Sequence, residues 1–357
     1  MKKQRAVLFR CDGSPELGLG HIVRCLALAD ELKNHNINIY FAIRKGPLGI
    51  RMVEEKGYRV FTSDEVTNNF DYGKWIDKCA IESCCKAIIF DVRDGLSRAI
   101  VRKLRNKGIL TVTIDDPEDK RLEMDLAFYP PVPQVKRMDW SGFTGELYIG
   151  WDWVILRPEF AAWRQRQNET VQSRERDNTL TPRILITMGG SDPAGLTLKA
   201  VEALNMLHEN FQAMIVLGPG FMHEDPLNKL LRKINYNYTI IRNVLDMAPI
   251  MAQADLAIAS FGVTAFELAA LGVPAIHLCL TEDHVESAST FVKAGIAVSL
   301  GLFNNVSKPV LANAIRQLLV NAQRRSIMSD RAKQKVDGQG ATKIIQMIEI
   351  RVKDING

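Results

Sequence analysis

Short apolar runs alternate with stretches whose apolar residues recur every three or four positions. In the first half the runs fall at 6–9, 37–43, 58–61, 86–90 and 109–114. Between them the helical period is plain, as in Ile22, Cys25, Leu26, Ala29 and Leu32. Strand-then-helix repetition of this kind predicts a parallel sheet covered by helices on both faces. From Gln165 through Thr181 the chain turns polar and charged and the apolar period lapses, which predicts an inter-domain linker. A second strand–helix series then begins at 183–188 and continues at 213–217, 238–241, 256–259 and 275–278. The expected organisation is therefore a domain over 1–164, a linker over 165–181, and a second domain over 182–357 that includes the C-terminal helices. Two doubly wound halves leave a cleft, and ligands of such sheets lie outside the carboxyl ends of the strands.

Both glycine-rich loops fall at such ends. The first is Cys11-Asp12-Gly13-Ser14-Pro15-Glu16-Leu17-Gly18-Leu19-Gly20-His21, which places His21 in the first turn of the following helix. The positive end of a helix disfavours imidazolium, so a neutral ring stands ready to accept a proton. Gly18 and Gly20 remove side chains from the approach. On spacing alone two readings stand level: a displayed base, or a strand–helix turn with a surface histidine. In the second half, Gly189-Gly190-Ser191-Asp192 follows a strand and precedes a helical pattern near Ala194, where backbone N–H groups favour an anion. Ser260-Phe261-Gly262-Val263-Thr264 opens another helix and offers hydroxyl and backbone donors suited to a diphosphate, with Glu267 one turn further in.

Composition narrows the class. With 46% hydrophobic and 24% charged residues in 357, the chain has the make-up of a soluble globular protein. No apolar run approaches the ~18 residues of a membrane span, and the N-terminus lacks a signal-peptide core, so a cytoplasmic location is expected. The six cysteines, at 11, 25, 79, 84, 85 and 279, contain no Cys-x-x-Cys pair, which indicates neither zinc nor a disulfide framework. A net charge of +5 is modest, and the basic run from 98 to 107 reads as a solvated helix face. No nucleic-acid partner, no membrane insertion, no cofactor and no metal are expected, and the oligomeric expectation is a monomer.

Arg10, Asp12, Ser14, Gly18, Gly20-His21 and Arg24 resemble the N-terminal signature of the PseG/SpsG family. These are nucleotide-sugar hydrolases of the pseudaminic acid pathway and their spore-coat polysaccharide relatives, built on the GT-B fold of MurG. The likeness continues in order through Gly150-Trp151-Asp152-Trp153-Val154-Ile155-Leu156-Arg157-Pro158-Glu159-Phe160, then 188–192, 260–267 and Glu286-Ser287. It covers roughly the first 300 residues.

The resemblance implies an α/β GT-B fold, with two Rossmann-like doubly wound domains facing a central cleft. It implies hydrolysis of a UDP-linked deoxy-amino sugar with inversion, His21 acting as general base and Asp12 lying at the catalytic site. It assigns nucleotide or sugar contacts to Gly18, Gly20, Arg24, Gly190, Ser191, Ser260, Phe261, Gly262, Val263, Thr264, Glu286 and Ser287. Glu267 would hold the ribose hydroxyls and the Val244 main chain would read the base. Three departures bear on the sugar: Val92-Arg93-Asp94 stands where the family places an aromatic, His284-Val285 replaces an Asn-Gln pair, and Asp115-Asp116 leads to Tyr129-Pro130-Pro131. Arg93 and His284 are therefore candidate sugar contacts, and Arg93 could equally serve a surface ion pair. A glycosyltransferase using the same base on an acceptor hydroxyl is the main rival, with 43–51 as a faint membrane-facing patch; a nucleotide-sugar-binding protein without turnover is the second.

Overall fold

The computed structural model describes residues 6–13, 19–35, 37–44, 46–63, 70–170, 181–244 and 246–356. They fall into two compact units, Met1–Pro158 with Gln339–Gly357, and Glu159–Gly338.

The first unit runs β1 (Ala6–Cys11), α1 (Gly20–Leu32), β2 (Asn38–Ile43), α2 (Pro47–Glu55), β3 (Arg59–Thr62), α3 (Tyr72–Ser83), β4 (Ala87–Asp91), α4 (Arg98–Asn106), β5 (Leu110–Ile114), β6 (Leu126–Tyr129) and β7 (Glu146–Ile149). The seven strands pair in parallel in the order β3-β2-β1-β4-β5-β6-β7. Its central strands are covered on both faces, which is why they read as unbroken apolar runs rather than alternating ones. Phe9 and Cys11 face the α1 side with Ile22 and Leu28, while Leu8 faces the α3 and α4 side with Ile76, Val101 and Leu104. Strands β6 and β7 lie outside the expected set. Each has four residues, and they are linked through 3-10 turns at Asp119–Glu123 and Pro133–Arg137, so no amphipathic helix flags them.

The second unit holds most of α5 (Pro158–Thr170), then β8 (Arg183–Thr187), α6 (Leu196–Leu204), β9 (Gln212–Leu217), α7 (Glu224–Leu231), β10 (Asn237–Arg242), α8 (Ala248–Met251), β11 (Leu256–Ser260), α9 (Val263–Ala270), β12 (Ala275–Cys279), α10 (Glu282–Lys293), β13 (Ala297–Leu302), α11 (Lys308–Leu319) and α12 (Ala322–Lys335). Six parallel strands take the order β10-β9-β8-β11-β12-β13. Ile184, Ile186, Ile215, Ile258, Ile276 and Leu278 form one core face with residues of α6, α7 and α11. β13 also lies outside the expected strands, because Ser299 and Gly301 interrupt its apolar residues at the sheet edge.

Two boundaries differ from expectation. Helix α5 extends into the polar stretch read as linker; of that linker, 171–180 lie outside the described residues. The last helix, α13 (Gly340–Asn356), expected with the second domain, belongs to the first unit. Its apolar stripe of Ile344, Ile345, Ile348 and Val352 completes the core beside α1. Gly340 fits there because a Cβ would meet the Val154 carbonyl oxygen at 2.1 Å. No helix of the described residues is long and apolar enough to cross a membrane.

One polar side chain is out of keeping with the second core. His277, in the middle of β12, is 1% exposed and lies between the rings of Phe261 (5.5 Å) and Phe291 (5.8 Å). Neither ring nitrogen has a hydrogen-bond partner among the described residues, and burial pushes its pKa down to about 4 from 6.5. The folded ring therefore binds a proton less readily than the unfolded one. Stability should be undiminished above the unfolded value, fall as pH drops from about 6.5 to about 4, and level off below. The full difference is ~3 kcal/mol, at ~1.4 kcal/mol per unit. Denaturant titrations of the wild type and His277→Leu across that range should diverge by about this amount in favour of the variant; parallel curves would count against it.

Candidate functional site

In an open parallel sheet the ligand crevice forms where the strand order reverses, here between β1 and β4 in the first unit and between β8 and β11 in the second. At the first reversal Cys11 is in register with Asp91, the last residue of β4. Helix α1 begins at Gly20 with Leu19 as its N-cap, and its first turn brings His21 over this point. His21 Nδ1 lies 2.5 Å from Asp91 Oδ1. Arg24, one turn on, grips the same carboxylate, with Nη2 2.6 Å from Oδ1 and Nε 2.9 Å from Oδ2.

Burial pushes the Asp91 carboxyl up, but Arg24 and His21 outweigh it and hold it below the ordinary carboxylate range. An ionised Asp91 can accept the Nδ1–H of His21, the arrangement that leaves the Nε2 lone pair free, and Arg24 Nη2 stands 3.1 Å from the same Nδ1. Arg24 also reaches Asp115 at 3.3 Å, and Arg93 lies 3.8 Å from the same carboxylate. A chain of alternating charge thus runs from Asp91 through Arg24 and Asp115 to Arg93, with His21 hydrogen-bonded at its head. Asp115 holds a left-handed φ of 50°, and backbone strain of this kind gathers at sites rather than in plain turns.

Asp12 belongs to a second cluster. Both its oxygens are 2.7 Å from the fully buried Arg10 guanidinium, and one accepts the Arg44 N–H at 2.7 Å. Arg10 is further held by Asp94 at 2.8 Å and by the Tyr72 hydroxyl at 2.6 Å. The carboxylate hydrogen-bonded to His21 is Asp91, and Asp12 is the counter-ion of Arg10. Gly20 opens α1, while Gly18 and Ser14 lie outside the described residues.

At the second reversal the approach is made by backbone. Gly189 has φ 81°, and a Cβ on it would stand 4.0 Å from Ser260 Oγ. The loop after β9 packs on this one: Gly220 N–H donates to the Gly190 carbonyl at 2.8 Å. A Cβ on Gly218 would meet the Gly190 and Gly189 carbonyl oxygens at 2.3 and 2.5 Å. Ser260 ends β11, and Gly262 caps α9, whose first turn has no side-chain cap. Val263 is 45% exposed there, and Glu267 is buried in the next turn.

The same stretch carries a family likeness, for residues 184–346 match the glycosyltransferase family 28 C-terminal domain. The match takes in most of the second unit and the opening of α13. Across the longer chain, an uncharacterized protein of Methanocaldococcus jannaschii is 31% identical over 290 residues, 79% of this chain. The chain spans 57% of that protein's length. Spore coat polysaccharide biosynthesis protein SpsG of Bacillus subtilis is 24% identical over 342 residues, covering 95% of this chain and 96% of SpsG. Among solved structures, Acinetobacter baumannii MurG superposes with a TM-score of 0.75 at 16% identity, over 97% of this chain and 99% of that one. The fold is GT-B.

Within the second unit the two helix ends beside the glycine loops differ. Helix α6 starts at Leu196, two residues past Ala194, and its N-terminus is already occupied: the Asp192 carboxylate accepts from Leu196 N and Thr197 N, both at 2.8 Å. An anion at Gly190 and the exposed Ser191 would rely on the loop rather than on that helix end. Helix α9 retains its N-terminal donors for Gly262, Val263 and Thr264. Phe261 is buried and packs 5.9 Å from the His284 ring. His284 stands in the first turn of α10, with its Nδ1 buried and unpartnered among the described residues, and burial lowers its pKa. Glu286 and Ser287 follow on the same helix, partly buried. Val244 is partly exposed beyond β10, after Asn243 at φ 53°.

Asp91, Asp115, Arg10 and Asp192 went unassigned by the sequence. Asp91 and Asp115 stand at or just past the carboxyl end of a strand, and that position is the signal that could have singled them out; Asp192 lies further along the loop after β8. In nitrogen-15 NMR of the protein at neutral pH, His21 should show a protonated Nδ1 and an unprotonated Nε2, and Asp91→Asn should abolish that preference. A tautomeric preference unchanged in the variant would mean that Asp91 does not orient the ring. Arg10→Met should destabilise the first unit by about 3–5 kcal/mol, since two carboxylates would lose their buried cation; a denaturation midpoint near wild type would refute this.

Proposed function

We propose that the protein hydrolyses a UDP-linked deoxy-amino sugar at its anomeric carbon with inversion, releasing UDP and the free sugar. The observation that carries this reading is the His21–Asp91 hydrogen bond, because it leaves Nε2 as a proton acceptor on a side chain still 23% exposed. Water attacks the anomeric carbon and gives its proton to Nε2. The bond from that carbon to the diphosphate oxygen breaks, and its electron pair leaves with UDP. Asp91 offsets the positive charge that develops on the ring; such a base contributes ~10²–10⁴-fold.

The second unit would hold the nucleotide. Uncapped N–H groups at the start of α9, with Ser260 and Thr264, suit the diphosphate. Glu267 can accept two hydrogen bonds from the ribose diol. The likeness to SpsG supports a place in surface-polysaccharide synthesis, and the N-terminal signature supports a sugar of the pseudaminic type. Arg93 and His284 favour a sugar related to, but different from, UDP-linked 2,4-diacetamido-2,4,6-trideoxy-altrose. A second reading, transfer to a hydroxyl acceptor by the same base, draws on the family 28 match and the MurG fold.

The test incubates purified protein with a panel of UDP- and CMP-sugars, with and without an alcohol acceptor, and measures released nucleotide. Release from a UDP-sugar without acceptor supports hydrolysis, release only with acceptor supports transfer, and none in either case overturns both. His21→Asn should lower turnover at least ~10²-fold with nearly intact UDP binding. Glu267→Ala should weaken UDP binding about tenfold by calorimetry, as expected for lost hydrogen bonds to a charged group; unchanged affinity would remove Glu267 from the ribose site.

A further inference from the structure

A groove of about 660 Å³ lies away from both strand-order reversals, between β13 and α12 of the second unit. β13 is the last strand of its sheet and pairs only with β12, so its outer edge carries unpaired backbone donors and acceptors. Ala297, Val298 and Ser299 of that edge line one wall.

The opposite wall is one face of α12. Arg324, Ile327, Met328 and Arg331 follow at helical spacing, so a basic, an aliphatic and a second basic position share a stripe two turns long. Neither guanidinium has an ion-pair partner among the described residues, and the groove lining contains no carboxylate. Ile327 and, at the end of α10, Val292 are 45% and 46% exposed, leaving aliphatic surface at the rim.

From these features we infer that the groove binds an extended acidic peptide segment of a partner protein, added as a further strand to the free edge of β13. Strand addition satisfies the edge's backbone groups, and pockets for alternate side chains supply selectivity. Side chains on one face of a strand recur every second residue, at ~6.8 Å, whereas two helical turns span ~10.5 Å. An acidic-x-aliphatic-x-acidic pattern matches the stripe within the reach of two arginine side chains. The aliphatic residue falls on Ile327 and Met328, and the two carboxylates fall on Arg324 and Arg331. A small anion would leave the strand edge and aliphatic rim unused, so a peptide accounts for more of the groove.

The probe is a fluorescein-labelled peptide, acetyl-Glu-Thr-Val-Thr-Glu-amide, titrated with the full chain and read by anisotropy. Saturable binding, weakened at least ~tenfold in the double variant Arg324→Glu, Arg331→Glu, is the expected result. The double variant should instead bind the Lys-Thr-Val-Thr-Lys peptide. Arg324→Glu alone, at an exposed position, should lose part of the affinity and guards against misfolding of the double variant. Peptide N-methylated at the central valine should also bind at least ~tenfold more weakly. The proposal is overturned by no saturation up to ~1 mM, by equal binding of the variants, or by equal binding of the N-methylated peptide. It is equally overturned if sedimentation finds a dimer of this chain that the double variant dissolves, because the occupant would then be a second copy.

Discussion

A carboxylate closed off from solvent at the end of a central strand organises the first unit. Asp91 is fully buried, and a charge in that position is stable only when cations and N–H donors surround it. Arg24 and His21 meet that demand, and both come from the opening turns of α1. The geometry follows from the sheet: β1 and β4 are adjacent and in register, so the helix that leaves β1 must start beside the end of β4. The same solution recurs with Arg10 between Asp12 and Asp94. Cations from β1 and α1 answer carboxylates near the ends of β1, β4 and β5, and this exchange locks loops that would otherwise repel one another.

The second unit solves its approach differently. Its loops after β8 and β9 are brought together by glycine backbone, and Gly218 leaves no room for even one methyl carbon. Charge enters chiefly through Asp192, which turns inward to cap the start of α6. One unit therefore presents an oriented imidazole and ion pairs, and the other presents open backbone.

Local features were the legible ones. The loop-to-helix junction at His21 could be read directly, since a glycine run followed by a 3.6-residue apolar period is contained in a short window. The partner of His21 could not, because Asp91 lies seventy positions away and becomes a neighbour only through the order in which strands pair. Asp12, expected at the catalytic site, is instead held by the buried guanidinium of Arg10. The helix start near Ala194 was legible, but the inward turn of Asp192 onto its first N–H groups was not. β6, β7 and β13 were hidden by shortness or by interruption with polar and glycine residues, and α13 by its distance from the core it completes.

That last feature bears on how the chain comes to be folded in a cell. The first unit begins at the first strand but is finished by a helix made only after residues 159–338 have been synthesised. Until α13 emerges, the apolar surface of α1 that receives Ile344, Ile345 and Ile348 stands uncovered. The usual order, in which the N-terminal domain folds first on the ribosome, is thereby inverted for the final step. The second unit can complete its core while the first is still waiting, and that interval is when the nascent chain has most need of a chaperone.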